Sequence, residues 1–504
     1  MSSPQPGAPR LRFAPSPTGF FHVGGARTAL FNWFVAQRTG GTLVLRIEDT
    51  DTERNRDEWI DGIQSAMRWV GVEWDEGPYF QSQRTHLYAA AVDRLLDEAK
   101  AYYCTCTSDE VKQRNLAAHG KEGEKLGYDG YCRDRNLTAG AVRFRTPDTG
   151  TTTVVDLVRG EPTFDNALIE DVVIRRTNGG FMFLLANVVD DMDMRISHVV
   201  RAEEHLPNTP KAVLLWQALD PDLPLPVFAH LPVIVNEKRQ KLSKRRDKVA
   251  VEDYRTLGIL PEAMSNYLAL LGWTPPSGDE IIDLKTMVQE FRLEDVNKSS
   301  AFFDIAKLTA FNGEYIRALS VDEFIVRCEP YLTGAFNPVH GPLPTVAPVT
   351  PVTLPTADVL AENVPVWGAF PAEAFDADVF RAIAPHVQER VRLLSDVPAV
   401  VDFLFVEPPV DEKAWTKTMT GAASTMLDGV LEVADGVEWT AEALKTLVED
   451  VGTANELKLG KAQAPIRIAL TGRTVGPPLF EAMELLGRSR SVARMRRARE
   501  KLGP

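Results

Sequence analysis

A lone histidine, His22, stands in the stretch "FAPSPTGFFHVGG" (Phe13–Gly25), after two prolines and a Thr-Gly turn and directly before the glycine pair Gly24 and Gly25. The apolar run "LRFA" ahead of it reads as a buried strand. Behind it, "GGARTALFNWFVAQRTG" carries Leu30, Phe31 and Phe34 at helical spacing and stops at Gly40. A strand that turns straight into a helix leaves unpaired backbone N–H groups at the helix start, which cradle phosphate. Glycines without a Cβ let a ligand approach that backbone, and His22 beside them adds a donor. A second stretch, "NEKRQKLSKRRDKVAVEDY" (Asn236–Tyr254), sets Lys241, Lys244, Arg245 and Arg246 among small or polar residues. Cations on such a loop can neutralise a triphosphate as pyrophosphate departs. Singly, the first stretch reads as an ordinary turn and the second as a solvated basic loop. A third group is made of thiols: Cys104 and Cys106 in "CTC", then Cys132 in "YDGYCRD". Three thiolates need a fourth ligand for tetrahedral zinc, and Tyr128, Asp134 or a water supplies it; the alternative is three reduced structural cysteines.

The elements that must position these residues follow from patterning. "TLVLRIE" reads as a second buried strand, followed by a helix from about Asp57 to Val70. Strand, helix, strand in this order implies a parallel pair with a right-handed crossover, the core of an α/β, doubly wound parallel sheet. Between Ala101 and Gly180 the texture changes to short alternating segments, "AVRFRTP", "TTTVVDLV" and "DVVIRRT", which read as an inserted α+β piece. The α/β pattern resumes with "FLLANVVDD", "ISHVVRAEEH" and "FAHLPVIVN", and from about Val251 helices dominate, with "PEAMSNYLALLGW" opening on a first-turn proline. The expected divisions are 1–103 and 184–250 for the two halves of the sheet domain, 104–183 for the insertion, 251–325 for a helical domain and 326–504 for a further helical region. A Pro-rich stretch near 337–356 reads as a linker or surface insertion. The tail "GRSRSVARMRRAREK" concentrates arginine on a helix, either as a solvated face or as an RNA-contacting one.

Composition sets the outer bounds. At 504 residues, with 44% hydrophobic and 25% charged residues, the chain reads as a soluble, multidomain protein. No apolar run approaches the roughly 18 residues that cross a bilayer, and the N-terminus has no apolar signal core, so the expectation is cytoplasmic with no membrane contact. Four cysteines are too few for a disulfide framework and fit a reduced compartment. The net charge of -14 argues against general attraction to polyanions, leaving nucleic-acid contact to local basic patches.

The two phosphate-type stretches together resemble the paired signatures of class I aminoacyl-tRNA synthetases, and "PSPTGFFHVGG", "RIEDTD" and "KLSKR" resemble the glutamyl-tRNA synthetases in particular. Further stretches, "DEGPYFQSQR", "LANVVDD", "VVRAEEH", "LPEAMSNYLALLGW" and "PIRIALTG", fall in that family's order. The resemblance implies a Rossmann-type catalytic domain, an insertion that meets the tRNA acceptor end, and helical C-terminal domains that contact the stem and read the anticodon. It implies ATP with Mg2+, L-glutamate and tRNA(Glu) as partners, and mostly monomeric relatives. His22, Lys241 and Lys244 would act in catalysis at the triphosphate, with Gly24, Gly25, Glu204 and Arg245 also at ATP. Arg12, Ala14, Ser16, Glu48, Phe183, Asn187 and Arg201 would form the glutamate pocket, Arg12 reading the side-chain carboxylate and Glu48 the ammonium group. Departures are visible: Gly25 stands where the signature's last histidine would be, Leu242 and Arg245 differ from "KMSKS", Asp134 replaces a histidine two residues after the third cysteine, and Phe183 stands where tyrosine is frequent. Zinc, if bound by Cys104, Cys106, Cys132 and Tyr128, would be structural. Around "VQERVRLL", Gln388, or alternatively Arg390, falls where relatives that accept only glutamate tRNA carry an arginine. That implies an enzyme that also charges tRNA(Gln).

Overall fold

The computed structural model describes residues 7–50, 55–119, 127–242, 249–333, 370 and 374–503. The opening strand β1 (Arg10–Phe13) leads through the His22 turn into helix α1 (Val23–Thr39), and strand β2 (Thr42–Ile47) follows. The helix buries Ala26, Ala29, Leu30, Phe31 and Phe34 and ends on Gly40 at φ 63°, a left-handed position that glycine adopts without strain. All six residues of β2 are buried, among them Arg46, so the strand carries a charge into a two-faced core. Helix α2 (Asp57–Trp69), strand β3 (Glu76–Phe80) and helix α3 (Thr85–Asp97) complete the first half. After the insertion come helix α5 (Phe183–Asp193), strand β9 (His198–Ala202), helix α6 (Thr209–Leu219) and strand β10 (Val227–Leu231).

These five strands form one sheet in the order β10-β9-β1-β2-β3, every pair parallel. The order reverses direction at β1, whose neighbours are β2 on one side and β9 on the other. In a doubly wound sheet this reversal opens a crevice at the carboxyl ends of the two diverging strands.

The insertion contributes strand β4 (Ala101–Cys104), helix α4 (Ser108–His119) and strands β5 (Ala141–Phe144), β6 (Thr151–Thr153), β7 (Thr163–Asp165) and β8 (Val173–Arg175). Its sheet, β4-β5-β8, is antiparallel and starts at Ala101, a few residues before the expected boundary. It does not stand apart: Val142, Phe144 and Ile174 share one buried cluster with Tyr88 and Val92 of α3, Leu185 of α5 and Leu215 of α6. Only the first three residues of "TTTVVDLV" form a strand. The rest turns along the sheet's edge, where Leu157 N–H donates to Phe228 O at 2.9 Å and Phe228 N–H to Val155 O at 3.2 Å.

Two compact units divide the chain, Met1–Val251 with Ser265–Phe303, and Glu252–Met264 with Asp304–Pro504. The expected separate domain at 251–325 is therefore shared between them, because the chain passes from one unit to the other more than once. The Pro-rich stretch near 337–356 lies outside the described residues. In the second unit two arginines of the terminal helix, Arg488–Leu502, take a role that neither sequence-based reading contains, while Arg496 and Arg497 are exposed. Arg494, nearly fully buried, donates to Phe403 O and Leu470 O at 2.8 Å and to Val406 O at 3.0 Å. Arg490 donates to Leu404 O at 2.6 Å. These carbonyls end the helices Val397–Phe405 and Leu459–Thr471, whose last turns lack intrahelical donors and carry partial negative charge. Arg497 and Arg499 pair with Glu407 and Asp428 at 3.0 and 2.9 Å. Arg494→Met leaves two buried carbonyls and one half-buried one without this donor, so it is expected to cost about 2–4 kcal/mol, seen as earlier thermal unfolding of the full chain; an unchanged transition would show that water replaces the guanidinium.

Candidate active site

A cavity of about 470 Å³ lies at the carboxyl ends of β1 and β9, lined by Arg12, Ser16, His22, Gly24, Glu48, Asn187, Arg201, Glu204 and Lys241 among others. Its floor is a charged cluster. The Arg12 Nε–H reaches Asp191 Oδ1 and Oδ2 at 3.1 and 3.3 Å. From β2, Arg46 donates Nη1–H to Asp191 Oδ1 and Nη2–H to Asn187 Oδ1, both at 2.7 Å, and lies 3.9 Å from Glu48 Oε1 and 3.6 Å from Asp190 Oδ2. Asp190 in turn accepts from Gln81 at 3.0 Å, Arg84 at 2.7 Å and Tyr88 at 2.8 Å. Buried charges persist when they are paired and hydrogen-bonded, and here each charged member has at least one such partner, although Arg46 Nε itself makes no hydrogen bond. Glu48 is also set by backbone: its N–H donates to Pro15 O at 3.0 Å, tying the end of β2 to the proline turn.

The charges in this cluster are unequal. Burial pushes the Glu48 carboxyl up to about 7, against the pull of Arg46 and Arg12. Asp191 stays below the usual carboxylate range, because Arg12 and Arg46 outweigh its burial. Burial, with Arg12 as a like charge, lowers Arg201 to about 10. His205 stacks on Phe183, centroids 5.8 Å apart, and burial brings it to about 4, so it is neutral.

At the opposite wall His22 is the N-cap of α1: its Nδ1 accepts the Gly24 N–H at 2.9 Å. The cap fixes Nδ1 as the acceptor and leaves Nε2 to carry the proton of a neutral ring. Gly25 has an intramolecular reason to be glycine, since a Cβ there would meet Phe21 Cε2 at 2.9 Å. Ligand approach alone, the sequence-based explanation, is thus incomplete. The basic loop arrives beside this turn. Val23 N–H donates to Val249 O at 2.8 Å and Val251 N–H to Phe21 O at 2.9 Å, while Lys241 pairs with Glu204 on the cavity wall. Lys244, Arg245 and Arg246 lie outside the described residues, but the residues flanking them on both sides belong to this site.

Elsewhere in the insertion, the sulfurs of Cys104, Cys106 and Cys132 lie within 4.8 Å of one another. The Tyr128 hydroxyl is 3.5 and 3.9 Å from the first two and accepts the Cys132 N–H at 2.7 Å. Guanidinium donors of Arg143 and Arg114 stand 3.2 and 3.4 Å from Cys104 and Cys106. Asp134 pairs instead with Arg145 at 3.2 Å. In the second unit Gln388 is nearly fully buried, its amide nitrogen donating to Ile316 O and Leu319 O at 2.8 Å at the end of helix Ile305–Ala318. Of the two expected anticodon positions only Arg390 is exposed.

Sequence reasoning assigned no role to Arg46, Asp190, Asp191, His205 or His230. One signal was available: an arginine inside the otherwise apolar "TLVLRI" demands buried acids, and "VVDD" offers two.

A parallel sheet with a crevice at its reversal point, a histidine-capped helix start and a lysine from a distant loop together define a nucleotide-activating enzyme of the class I synthetase type. Residues 9–310 match the family described as tRNA synthetases class I (E and Q), catalytic domain, and residues 353–499 match an anticodon binding domain. The glutamate–tRNA ligase of Salinispora arenicola is 54% identical over 98% of this chain and 99% of its own. That of Thermobifida fusca is 54% identical over 98% of each. A crystal structure of a glutamate tRNA ligase from Elizabethkingia meningosepticum, in complex with its amino acid, superposes with a TM-score of 0.79 at 28% identity, covering 98% of this chain and 100% of that one. The chain belongs to the class I tRNA synthetases and, within them, to the glutamate–tRNA ligases.

In the ligand-free protein the Glu48 carboxyl is expected to titrate near pH 7, so a cation seated against it binds less tightly as pH falls through that value. Carboxyl carbon NMR, with the resonance assigned by its loss in Glu48→Gln, checks this; a midpoint below about 5 would mean that the arginines outweigh burial.

Proposed function

We propose that this cavity activates L-glutamate with ATP and passes it to the 3′ end of tRNA(Glu), with His22 and Lys241 at the triphosphate and the Arg12 cluster at the amino acid. The observation that carries the reading is the meeting, on one cavity, of a capped helix start, a loop lysine and a buried acid–base cluster able to take both ends of an amino acid. Arg12, already oriented by Asp191, offers its remaining N–H groups to the side-chain carboxylate, and a neutral amide would leave that guanidinium unpaired. Glu48 faces the ammonium group and ionises when the cation arrives. Ala14, Ser16, Asn187 and Arg201 complete this pocket, and Phe183 with His205 forms its aromatic side. An α-carboxylate oxygen of glutamate then attacks the α-phosphorus of ATP, and the bond to pyrophosphate breaks. Charge accumulating on the leaving phosphates meets the His22 Nε2–H, the N–H groups about Gly24 and Gly25, and the cations of Lys241, Lys244 and Arg245. Glu204 holds Lys241 until the nucleotide takes it over. Mg2+ accompanies ATP and shields the phosphates.

The insertion is assigned to the acceptor end, and the second unit to the stem and anticodon. Arg390 is the anticodon candidate. With Gln388 at the position where discriminating relatives carry arginine, and its amide nitrogen engaged with two backbone carbonyls, tRNA(Gln) is accepted as well; Arg390 at that position would instead restrict charging to tRNA(Glu). All residues lining the cavity come from one unit of the chain, and the enzyme is read as a monomer acting in the cytoplasm. Among the described residues no helix is long and apolar enough to cross a membrane.

With purified tRNA(Glu), ATP and glutamate, the protein is expected to form glutamyl-tRNA, and Lys241→Ala to lower the rate by roughly 100-fold with little change in tRNA affinity. An unaltered rate would remove Lys241 from its assigned role. In the same assay purified tRNA(Gln) is expected to be charged above background, and a background level would establish discrimination for glutamate tRNA.

The thiol group fits structural zinc, with the Cys104, Cys106 and Cys132 sulfurs grouped and the Tyr128 oxygen beside them as a fourth donor. Zinc there would tie β4 to the turn at Tyr128–Cys132. Elemental analysis of the full-length protein should find about one zinc per chain, lowered in Cys106→Ser; a folded, active, zinc-free wild type would leave only reduced cysteines.

A further inference from the structure

Arg201 on β9 and His230 on β10 are direct partners in the parallel pair. The Arg201 Nε–H donates to His230 Nε2 at 3.2 Å, and its Nη2 donates to Thr209 Oγ1 at 2.9 Å. Those two donors form one edge of the guanidinium, so the other edge, made by Nη1 and Nη2, is the one left for the cavity that Arg201 lines. An Nε–H can be received only by a ring nitrogen with a lone pair. The Thr209 hydroxyl lies 2.9 Å from the same nitrogen and can donate to it as well. With Nε2 accepting, the His230 proton sits on Nδ1, and Nδ1 faces Asp156 Oδ2 at 2.5 Å. Asp156 is itself locked as an acceptor. Its Oδ1 takes the N–H groups of Val158 and Arg159 at 2.9 and 2.7 Å, and its Oδ2 takes the His230 N–H at 3.1 Å. His230 is fully buried and Asp156 nearly so, and burial next to Arg201 keeps the imidazole neutral while its donors keep the aspartate ionised.

We propose that Asp156 and His230 are positioning residues for the amino-acid pocket: Asp156 fixes the Nδ1–H tautomer of His230, whose free Nε2 anchors one edge of Arg201 and turns the other toward a carboxylate of the substrate. The proposal rests on the placing of Arg201 in the glutamate pocket. It also gives the inserted segment a part in that pocket, because Asp156 lies on the strip that pairs with Phe228 at the sheet's edge.

Asp156→Asn supplies the test. Oδ1 stays as acceptor of the Val158 and Arg159 N–H groups and lies 3.3 Å from the His230 N–H, so the new NH2 replaces Oδ2, faces Nδ1 and drives the ring proton to Nε2, where it opposes the Arg201 Nε–H and turns to Thr209 Oγ1. The expected result is a rise of about tenfold or more in KM for glutamate, with KM for ATP and tRNA within about twofold. Imidazole 15N shifts should report Nδ1–H in the wild type and Nε2–H in the variant. A wild-type ring protonated at Nε2, or at both nitrogens near neutral pH, overturns the proposal, and this measurement stands even if the variant does not fold. A flipped tautomer with unchanged glutamate KM overturns it too. Arg201→Ala separates the two layers. If it raises glutamate KM while Asp156→Asn does not, the dyad fails and the pocket stands; if neither does, both fall.

Discussion

A guanidinium buried in the middle of a parallel sheet is the constraint from which the rest of the site follows. Arg46 has no water to fall back on, so the fold must bring acids to it, and it does so by laying α5 across β1 and β2 with Asp190, Asp191 and Asn187 on the inner face. Once Asp191 is there, it also orients Arg12. Once Asp190 is there, it gathers Gln81, Arg84 and Tyr88 and so draws the start of α3 into the same network. A substrate pocket of preset charges is thereby built before any ligand arrives, which is the form in which electrostatics help most, since nothing has to reorganise on binding. The cost of burying these ions is offset by mutual pairing, and removing one member would leave its partner stranded.

Glu48 shows how unevenly such a network can distribute charge. It sits at the edge of the cluster, farther from Arg46 than Asp191 is, and burial prevails over attraction there. On the proposed reading, in which the site takes both a carboxylate and an ammonium group, such asymmetry is needed: a carboxylate fully satisfied by arginine would have little left to offer a cation. The same reasoning applies to Arg12 and Arg201, each of which commits Nε to the protein, Arg201 also one Nη.

Much of the catalytic half could be read from residue order. The His22 turn, the strands about "LRFA" and "TLVLRIE", the helix that stops at Gly40 and the basic loop are local patterns, and local backbone preferences realise them. Their convergence was inferred from paired signatures and is physically achieved by the hydrogen bonds between Phe21–Val23 and Val249–Val251, residues far apart in sequence. What could not be read depends on tertiary placement. The terminal arginines look alike as a string; only the packing of two other helix ends distinguishes Arg494, which caps them, from an exposed neighbour such as Arg496. Gln388 likewise looked like a surface reader and proved to be a cap. The strip 154–160 read as a continuing strand because its pairing partner, Phe228, is supplied by another domain half. The three thiols and Tyr128 were visible in the sequence; the pairing that draws Asp134 toward Arg145 was not, because it depends on tertiary placement.

His22 does two jobs with one ring. One nitrogen closes the first turn of the longest helix in the sheet domain, and the other is directed away from it. An asparagine or serine could serve as the cap and nothing more, and a lysine could meet an anion but would leave the turn open. Position 22 is therefore pinned by folding and by recognition at once. Drift there is penalised twice, so a chain that has lost its substrate could still keep this histidine for the sake of its own helix.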